Sequence, residues 1–309
     1  MCPHRVFKSG QFYINSTSVL FANGNGARMR DMMPEFSVDK EKCTQCGLCA
    51  KDCVAHIIDM DSGWPRIPKE KEIGCRKCQH CLAICPSGAV SILGKSPSQS
   101  TLIQGAFPDP DQMEILIKGR RSVRHYVDEN LDPELMQRLL DVACQAPTGG
   151  NVRQVQLSVI DDKHMMDKFR QHTYDVVEKL ANDGKLPDKR KVFANFVFLW
   201  QKKHIDVLFR GAPHLLVASA PRNISSPVAD CVIALSYFEL FAQTLGVGTV
   251  WDGLARCAID ELLSGVRKKL GIPEDHLIGA AMAFGKPAVH YHCTVENDNS
   301  NIVRCPVFL

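Results

Sequence analysis

Several kinds of sequence feature are missing from this chain of 309 residues. No run of 18 apolar residues is free of charge, and the best candidate, residues 231–251, carries Glu239 in its middle. A membrane span is therefore not expected. The 37 basic and 34 acidic residues form no basic stripe, which argues against nucleic-acid binding. The first 31 residues lack the apolar core of a secretory signal, so we expect a cytoplasmic protein.

Cysteine is plentiful, with 14 residues. Eight of them form two runs of one spacing, C-x2-C-x2-C-x3-C, at Cys43, Cys46, Cys49 and Cys53 and again at Cys75, Cys78, Cys81 and Cys85. Bacterial ferredoxins hold [4Fe–4S] clusters with this spacing. A structural zinc site more often joins two CxxC pairs across a longer loop. Disulfide pairing is the alternative that spacing alone leaves open, although disulfides are rare in reducing compartments.

The two runs are expected to exchange their last cysteines. In two-cluster ferredoxins the fourth cysteine of each run binds the other cluster. We therefore expect one [4Fe–4S] cluster on Cys43, Cys46, Cys49 and Cys85 and a second on Cys53, Cys75, Cys78 and Cys81. This half of the chain closely resembles those ferredoxins, except that Val54 follows Cys53 where proline is usual. A domain of this size has little apolar core, so metal should supply much of its folding energy.

Composition divides the chain into four segments. We predict an N-terminal extension of unclear origin over 1–35, a two-cluster ferredoxin domain over 36–95, a linker over 96–108 and a second domain over 109–309. The second domain mixes helical and strand patterns, which predicts an α+β fold with helices over a mostly antiparallel sheet. The helices are expected over 111–118, 133–146, 162–183, 187–203 and 229–245, and the strands over 156–160, 214–220, 247–251 and 277–284.

Four short segments of the second domain carry weak chemical signals. Residues 120–124, Arg-Arg-Ser-Val-Arg, could grip a phosphate, or form a solvated basic face. Residues 146–151 include two glycines and Asn151, which allow close approach to a ligand, or simply end a helix. Residues 246–253 form a glycine-rich turn, and 270–287 read as a helix stop followed by a core strand.

In this order, the four segments resemble the nitroreductase family of FMN enzymes, and the whole chain resembles a ferredoxin–nitroreductase fusion. The resemblance implies which residues hold FMN. Those expected at the phosphate and ribityl chain are Arg120, Ser122, Arg124 and, near the C-terminal end, Arg304. Those expected at the flavin ring are Arg121, Thr148, Asn151, Asp252 and Gly253, the last two through backbone N–H groups near N5 and O4.

The resemblance also implies a function. It predicts a homodimer with FMN at the subunit interface that reduces a small oxidised acceptor such as a nitroaromatic or a quinone. The chain's own clusters are expected to relay single electrons to or from FMN. No catalytic acid–base triad is expected, because the cofactors carry the chemistry. A ferredoxin or NAD(P)H could supply the electrons. One alternative is an electron-transfer or redox-sensing module whose flavin meets no small substrate, and another is a degenerate flavin domain used only for dimerisation.

Overall fold

The computed structural model describes residues 33–297 and 301–305, so residues 1–32 of the predicted extension lie outside it. Residues 36–95 form the front module, in which β1 (Ser37–Val38) pairs antiparallel with β2 (Val90–Ser91). Two short helices, α1 (Leu48–Lys51) and α2 (His80–Ala83), each contain the third cysteine of a run. The two ends of the module are therefore paired, and one cysteine of each run lies on a helix.

The two cysteine runs fold alike. Gly47 precedes α1 with a φ of +70°, and Gln79 precedes α2 with a φ of +61°. Glycine adopts such left-handed backbone at no cost, whereas a side chain at this φ is disfavoured. Both runs therefore use a left-handed residue before the helix. Glycine suits this conformation at 47, whereas Gln79 must be held in it by its surroundings.

Residues 109–297 form the back module, and its first helices start at aspartates. Helix α3 (Pro110–Gly119) begins after Asp109, whose carboxylate accepts from two backbone N–H groups of the first turn. Helix α4 (Pro133–Ala143) begins after Asp132 in the same way. In both helices proline takes the first position, where its missing N–H costs nothing. Both helices were expected, α4 from its Asp-Pro start signal.

One four-stranded sheet organises the back module. Its strands are β3 (Gln156–Ile160), β4 (His214–Pro221), β5 (Gly248–Trp251) and β6 (His276–Gly285), in the order β3-β4-β6-β5. Every neighbouring pair is antiparallel. The predicted α+β class, the mostly antiparallel sheet and all four strands are confirmed.

The sheet is buried on both faces. Leu215 and Val217 of β4 point into one apolar cluster, which includes residues of α5 (Lys163–Asn182) and α6 (Phe193–Lys203). Their neighbours Leu216 and Ala218 point into a second cluster, shared with α4 and α7 (Pro227–Thr244). Side chains alternate between the faces of a strand, so a strand covered on both sides is apolar throughout. This explains why 214–220 is a continuous apolar run.

Helix boundaries differ from expectation in two places. Helix α6 begins at Phe193 rather than near 187, because a 3-10 turn at Asp188–Arg190 comes first. The region after β5, which carried no predicted element, contains α8 (Gly253–Cys257), a π-helical turn (Ala258–Leu262) and α9 (Val266–Lys269). These pieces are too short to show a helical period in the sequence. Among the described residues, no helix has the length and hydropathy that a membrane crossing needs.

Candidate cofactor sites

The front module contains a cavity lined by Cys43, Cys46, Cys49 and Cys85, which we call the first cysteine cavity. A second cysteine cavity is lined by Cys53, Cys75, Cys78 and Cys81. These are the two quartets expected from the exchange of the last cysteines. All 13 cysteines of the described ranges are free thiols, so the structure gives no support to the disulfide alternative.

The cysteine side chains surround the cavities and do not converge on the position of a single metal ion. Within residues 33–297 and 301–305, no group of three or more His, Cys, Asp or Glu side chains is arranged to hold a single metal ion. Four thiols around a cavity suit a cluster of several atoms better than one zinc ion, whose ligands lie about 2.0–2.3 Å from the metal. The donor set therefore fits an iron–sulfur cluster in each cavity.

Burial and hydrogen bonding act against each other on the cysteine thiols. Burial raises the pKa of Cys81 to about 12 and also raises the pKa of Cys49 and Cys75. Burial would raise the pKa of Cys85 too, but hydrogen bonds from the backbone of Ala89 and from Ser87 lower it overall. The raised pKa values favour the protonated thiols of Cys49, Cys75 and Cys81, and a bound metal would supply the positive charge that stabilises their thiolates.

Backbone N–H groups point at one sulfur in each quartet. Ala89 N–H donates to Cys85 Sγ at an N···S distance of 3.2 Å, and Lys77 N–H donates to Cys75 Sγ at 3.4 Å. Hydrogen bonds to cluster sulfurs are one of the means by which a protein sets reduction potential. Each quartet therefore contains a sulfur that already accepts a backbone hydrogen bond.

In the back module, the segment 120–124 lies alongside strand β5. Ser122 forms a parallel bridge with Thr249, and Val123 N–H donates to Thr249 O at 2.9 Å. Gly248 faces Val123, where a Cβ would come within 2.6 Å of the Val123 side chain. This close approach explains a glycine at 248 and places the segment at the strand that leads into Asp252 and Gly253.

Arg120 has a protein partner. Its Nη1 donates to Glu239 Oε1 at 3.2 Å, and Glu239 is 6% exposed. The same carboxylate accepts from Thr249 Oγ1 at 3.2 Å and from Trp251 Nε1 at 3.0 Å. Glu239 thus fastens the arginine segment and β5 to α7. The sequence showed only a charge inside an apolar helix, and that charge was the one available signal for this role.

Arg121 carries an unpartnered donor. In the described part of the chain its Nε is buried and has no hydrogen-bond partner, while its Nη2 donates to Lys118 O at 3.0 Å. A buried donor without an acceptor is costly. An anion at this position would remove that cost, so the segment fits a phosphate. Arg124 is exposed, with Nη1 3.3 Å from Ser122 O.

The loop 148–153 is held on three sides. Gly149 N–H donates to the buried Asp230 Oδ1 at 3.0 Å, and Arg153 N–H donates to Thr148 Oγ1 at 2.9 Å. Asn151 Nδ2 donates to Arg76 O at 2.8 Å, across 75 positions in sequence. Thr148 and Asn151 are therefore used within the protein, and Asn151 reaches the cysteine loop 75–81.

The loop and the arginine segment are not joined within one chain. No hydrogen bond or ion pair among the described residues links 120–124 to 148–153. Both are anchored on α7, one at Asp230 and the other at Glu239, nine residues apart in chain number. At 1.5 Å per residue, these anchors lie roughly 13 Å apart along the helix.

Asp252 does not fit its expected backbone role. Its N–H donates to Ala281 O at 2.8 Å, so it extends the sheet and is not available to a flavin. Its Oδ1 instead caps α8 by accepting from Ala255 N–H at 2.8 Å, and Oδ2 is buried without a partner in the described ranges. Burial raises the pKa of this carboxyl to about 7.

Gly253 is the first residue of α8, and its role beside the flavin ring stays a prediction. The first N–H groups of a helix have no partner within the helix, and the space beside the Gly253 Cα is open. Gly253, rather than Asp252, is therefore the residue of this pair whose N–H could face a ligand.

The C-terminal segment returns along the arginine segment. Ala288 N–H donates to His125 O at 2.9 Å, and Tyr291 Oη donates to Ser122 O at 3.3 Å. Arg304 lies further on and is exposed. None of the hydrogen bonds or ion pairs among described residues connects Arg304 to 120–124, so its expected place at a phosphate stays a prediction.

Comparison with known proteins gives a match for each module. The model of the nitroreductase family matches residues 117–286, more than half of the chain. The model of the 4Fe-4S dicluster domain matches residues 42–90. The two matches fall in the order and in the regions expected from the cysteine runs and the four back-module segments.

Individual relatives cover the back module. The nitroreductase NfnB of Mycolicibacterium smegmatis is 27% identical over 216 residues, covering 61% of this chain and 88% of its own. Crystal structures of FMN-bound nitroreductases from Bacteroides fragilis and Desulfitobacterium hafniense are 21% and 23% identical. They cover 62% and 63% of this chain and 99% and 98% of their own, each with a TM-score of 0.50. At this identity the structures show a shared fold.

Proposed function

Because the chain belongs to the nitroreductase family and carries a 4Fe-4S dicluster domain, we propose that it is an FMN-dependent oxidoreductase with two [4Fe–4S] clusters that reduces a small oxidised acceptor. When bound, such clusters exchange single electrons and flavin exchanges one or two, so the pair can link a one-electron donor to a two-electron reduction. The observation that carries the proposal is that two cysteine quartets each line one cavity of the chain that also has the nitroreductase fold.

The proposed cluster ligands are the two quartets. In the first cavity the ligands are Cys43, Cys46, Cys49 and Cys85, and in the second they are Cys53, Cys75, Cys78 and Cys81. Each cavity draws three ligands from one run and one from the other. Such crossed ligation would tie the two halves of the front module together through metal.

For FMN, we propose that the arginine segment binds the phosphate. Arg121 has the unpartnered buried Nε, Arg124 and Ser122 lie beside it, and Arg120 is held by Glu239 with further guanidinium donors left over. Gly253 would present its N–H to the ring, and Thr148 and Asn151 would approach from the other loop. No side chain of this set forms an acid–base triad, so the protein's part is to bind, orient and shield the flavin.

We also propose a homodimer in which FMN touches both subunits. Such an arrangement would bring the arginine segment of one subunit to the 148–153 loop of the other, which a single chain does not join. The residues before and within α3 expose large apolar side chains, an unusual pattern for a monomer. They are Leu102 (85% exposed), Ile103 (67%), Phe107 (76%), Ile115 (64%) and Ile117 (52%).

Anaerobic stopped-flow spectroscopy tests the proposed activity. Protein purified without oxygen should contain FMN, iron and acid-labile sulfide, and dithionite should bleach the flavin absorbance. Mixing with a nitroaromatic or a quinone should then restore that absorbance much faster than the same acceptor reoxidises free FMN. Reoxidation no faster than that of free FMN would favour an electron-transfer module without a small substrate.

A further inference from the structure

The Asn151–Arg76 hydrogen bond joins the two modules at a chemically important point. Arg76 lies between Cys75 and Cys78 and lines the second cysteine cavity. Its carbonyl accepts from Asn151 Nδ2 at 2.8 Å. No hydrogen bond among the described residues joins a residue lining the first cysteine cavity to any residue beyond 100. The second cavity is therefore the one that is fastened to the back module.

Both loops are held in uncommon backbone conformations where they meet. Gly150, Asn151 and Arg153 have φ values of +61°, +56° and +47°, and Lys77, next to Arg76, has a φ of +55°. Side chains rarely adopt this region, although asparagine tolerates it better than most. Such conformations persist only where the surroundings fix them, and they concentrate at functional sites.

The surroundings of Asn151 do fix its direction. Gly149 is tied to Asp230, and a Cβ at 149 would come within 2.6 Å of Ser225 Oγ. Asn151 N–H donates to Thr148 O at 2.9 Å, which closes the turn. The back module thus aims the Asn151 amide outward, and the Arg76 carbonyl is what it meets.

We infer that Asn151 is a positioning residue that holds the cysteine loop 75–81 against the 148–153 loop. The inference rests on the proposed function, because both loops are proposed to line cofactor sites. The Nδ2 donor serves the contact between modules. The side chain thereby joins the lining of the second cysteine cavity to the 148–153 loop. It makes the second cavity, rather than the first, the neighbour of the 148–153 loop.

The test uses three variants of the full-length protein. Asn151→Asp keeps the shape, the tolerance of positive φ and one acceptor, but loses the donor and sets two acceptors against each other. Asn151→Gly accepts positive φ without strain and removes the side chain without adding charge. Arg76→Ala is the matched control, because it removes the neighbouring side chain but keeps the carbonyl that Asn151 binds.

Hydrogen–deuterium exchange of the anaerobically purified protein is the readout. Both Asn151 variants should speed exchange about twofold to tenfold in peptides covering 75–81 and 148–153. Peptides covering 43–49 should not change, and Arg76→Ala should leave 148–153 as in the wild type. Faster exchange in 148–153 alone, an effect of Asp but not Gly, or an equal rise at 43–49 would overturn the inference.

Cofactor content separates this inference from the proposed function. FMN, iron and sulfide are measured on the wild type before exchange begins. A wild type without them would contradict the proposed function. A loaded wild type with unchanged exchange in both Asn151 variants would contradict only the role given to Asn151.

Discussion

The two modules of this protein are stabilised in different ways. The apolar cluster of the front module includes Cys49 and Cys81 among its buried residues, and its surface leaves Val54 76% and Ile73 96% exposed. The back module buries a sheet between two clusters of large apolar side chains. A small module can use cysteines as core because a cluster fills the space between them. The back module has apolar side chains in this role and needs no metal cluster in its core.

Removing the metal should produce the largest difference in stability between the two modules. If the clusters are extracted with a chelator and an oxidant under anaerobic conditions, the front module should unfold while the back module stays folded. Limited proteolysis should then cut within 36–108 and leave a stable fragment of the back module. A front module that resists protease equally with and without iron would show that its side chains suffice.

Replacing a cysteine that lines the cavity of the other run should affect the two cysteine runs of the front module differently. Cys53 belongs to the first run but lines the second cavity. Cys53→Ser should therefore lower iron to about half and speed hydrogen exchange at 75–81 more than at 43–49. Cys144→Ser is the control, because Cys144 is exposed and lines neither cavity. Faster exchange chiefly at 43–49 would mean that each run binds its own cluster.

Removing a large side chain from the back-module core should lower stability but leave the iron content unchanged. Phe238 is fully buried and packs edge-on against Phe284, with ring centroids 5.0 Å apart. Phe238→Ala should lower the free energy of unfolding of the back module by about 3–5 kcal/mol without changing iron content. Chemical denaturation and iron analysis measure the two effects. Phe198→Ala, at a side chain 55% exposed, should cost far less, and equal losses would contradict this account of the core.

An effect on the free energy of unfolding that is limited to one pH range should come from the buried carboxyl of Asp252. Burial raises its pKa from 3.8 to about 7, so between about pH 4 and 7 the folded state keeps a proton that the unfolded state has lost. This contribution to stability falls as pH rises through that window. Asp252→Asn cannot ionise, so its stability should match the wild type near pH 4 and exceed it at pH 8, by up to about 4 kcal/mol. A pH-independent difference in denaturation midpoint would contradict the raised pKa.

Local signals explain which elements could be predicted. Helices α3 and α4 each begin with an Asp-Pro signal that lies within three residues. The apolar run 214–220 indicates a strand that is buried on both faces. Elements of five residues or fewer after β5 carry no period and were missed. The N–H of Asp252, expected at the flavin ring, donates to Ala281 O on a strand 29 positions away, a partner that no local signal indicates.

The sequence alone was enough to predict the two-module order, the two cysteine quartets and a mostly antiparallel sheet. The spacing of the cysteines matches the two-cluster ferredoxin pattern, and the mixture of helical and strand patterns indicates the sheet. The tertiary structure decided that Glu239 holds Arg120, that Arg121 keeps an unpartnered donor, and that Asn151 reaches Arg76. The two hydrogen bonds join positions 119 and 75 apart in the chain. Hydrogen-bond partners at such separation are chosen by the packing of whole elements, which no local pattern records.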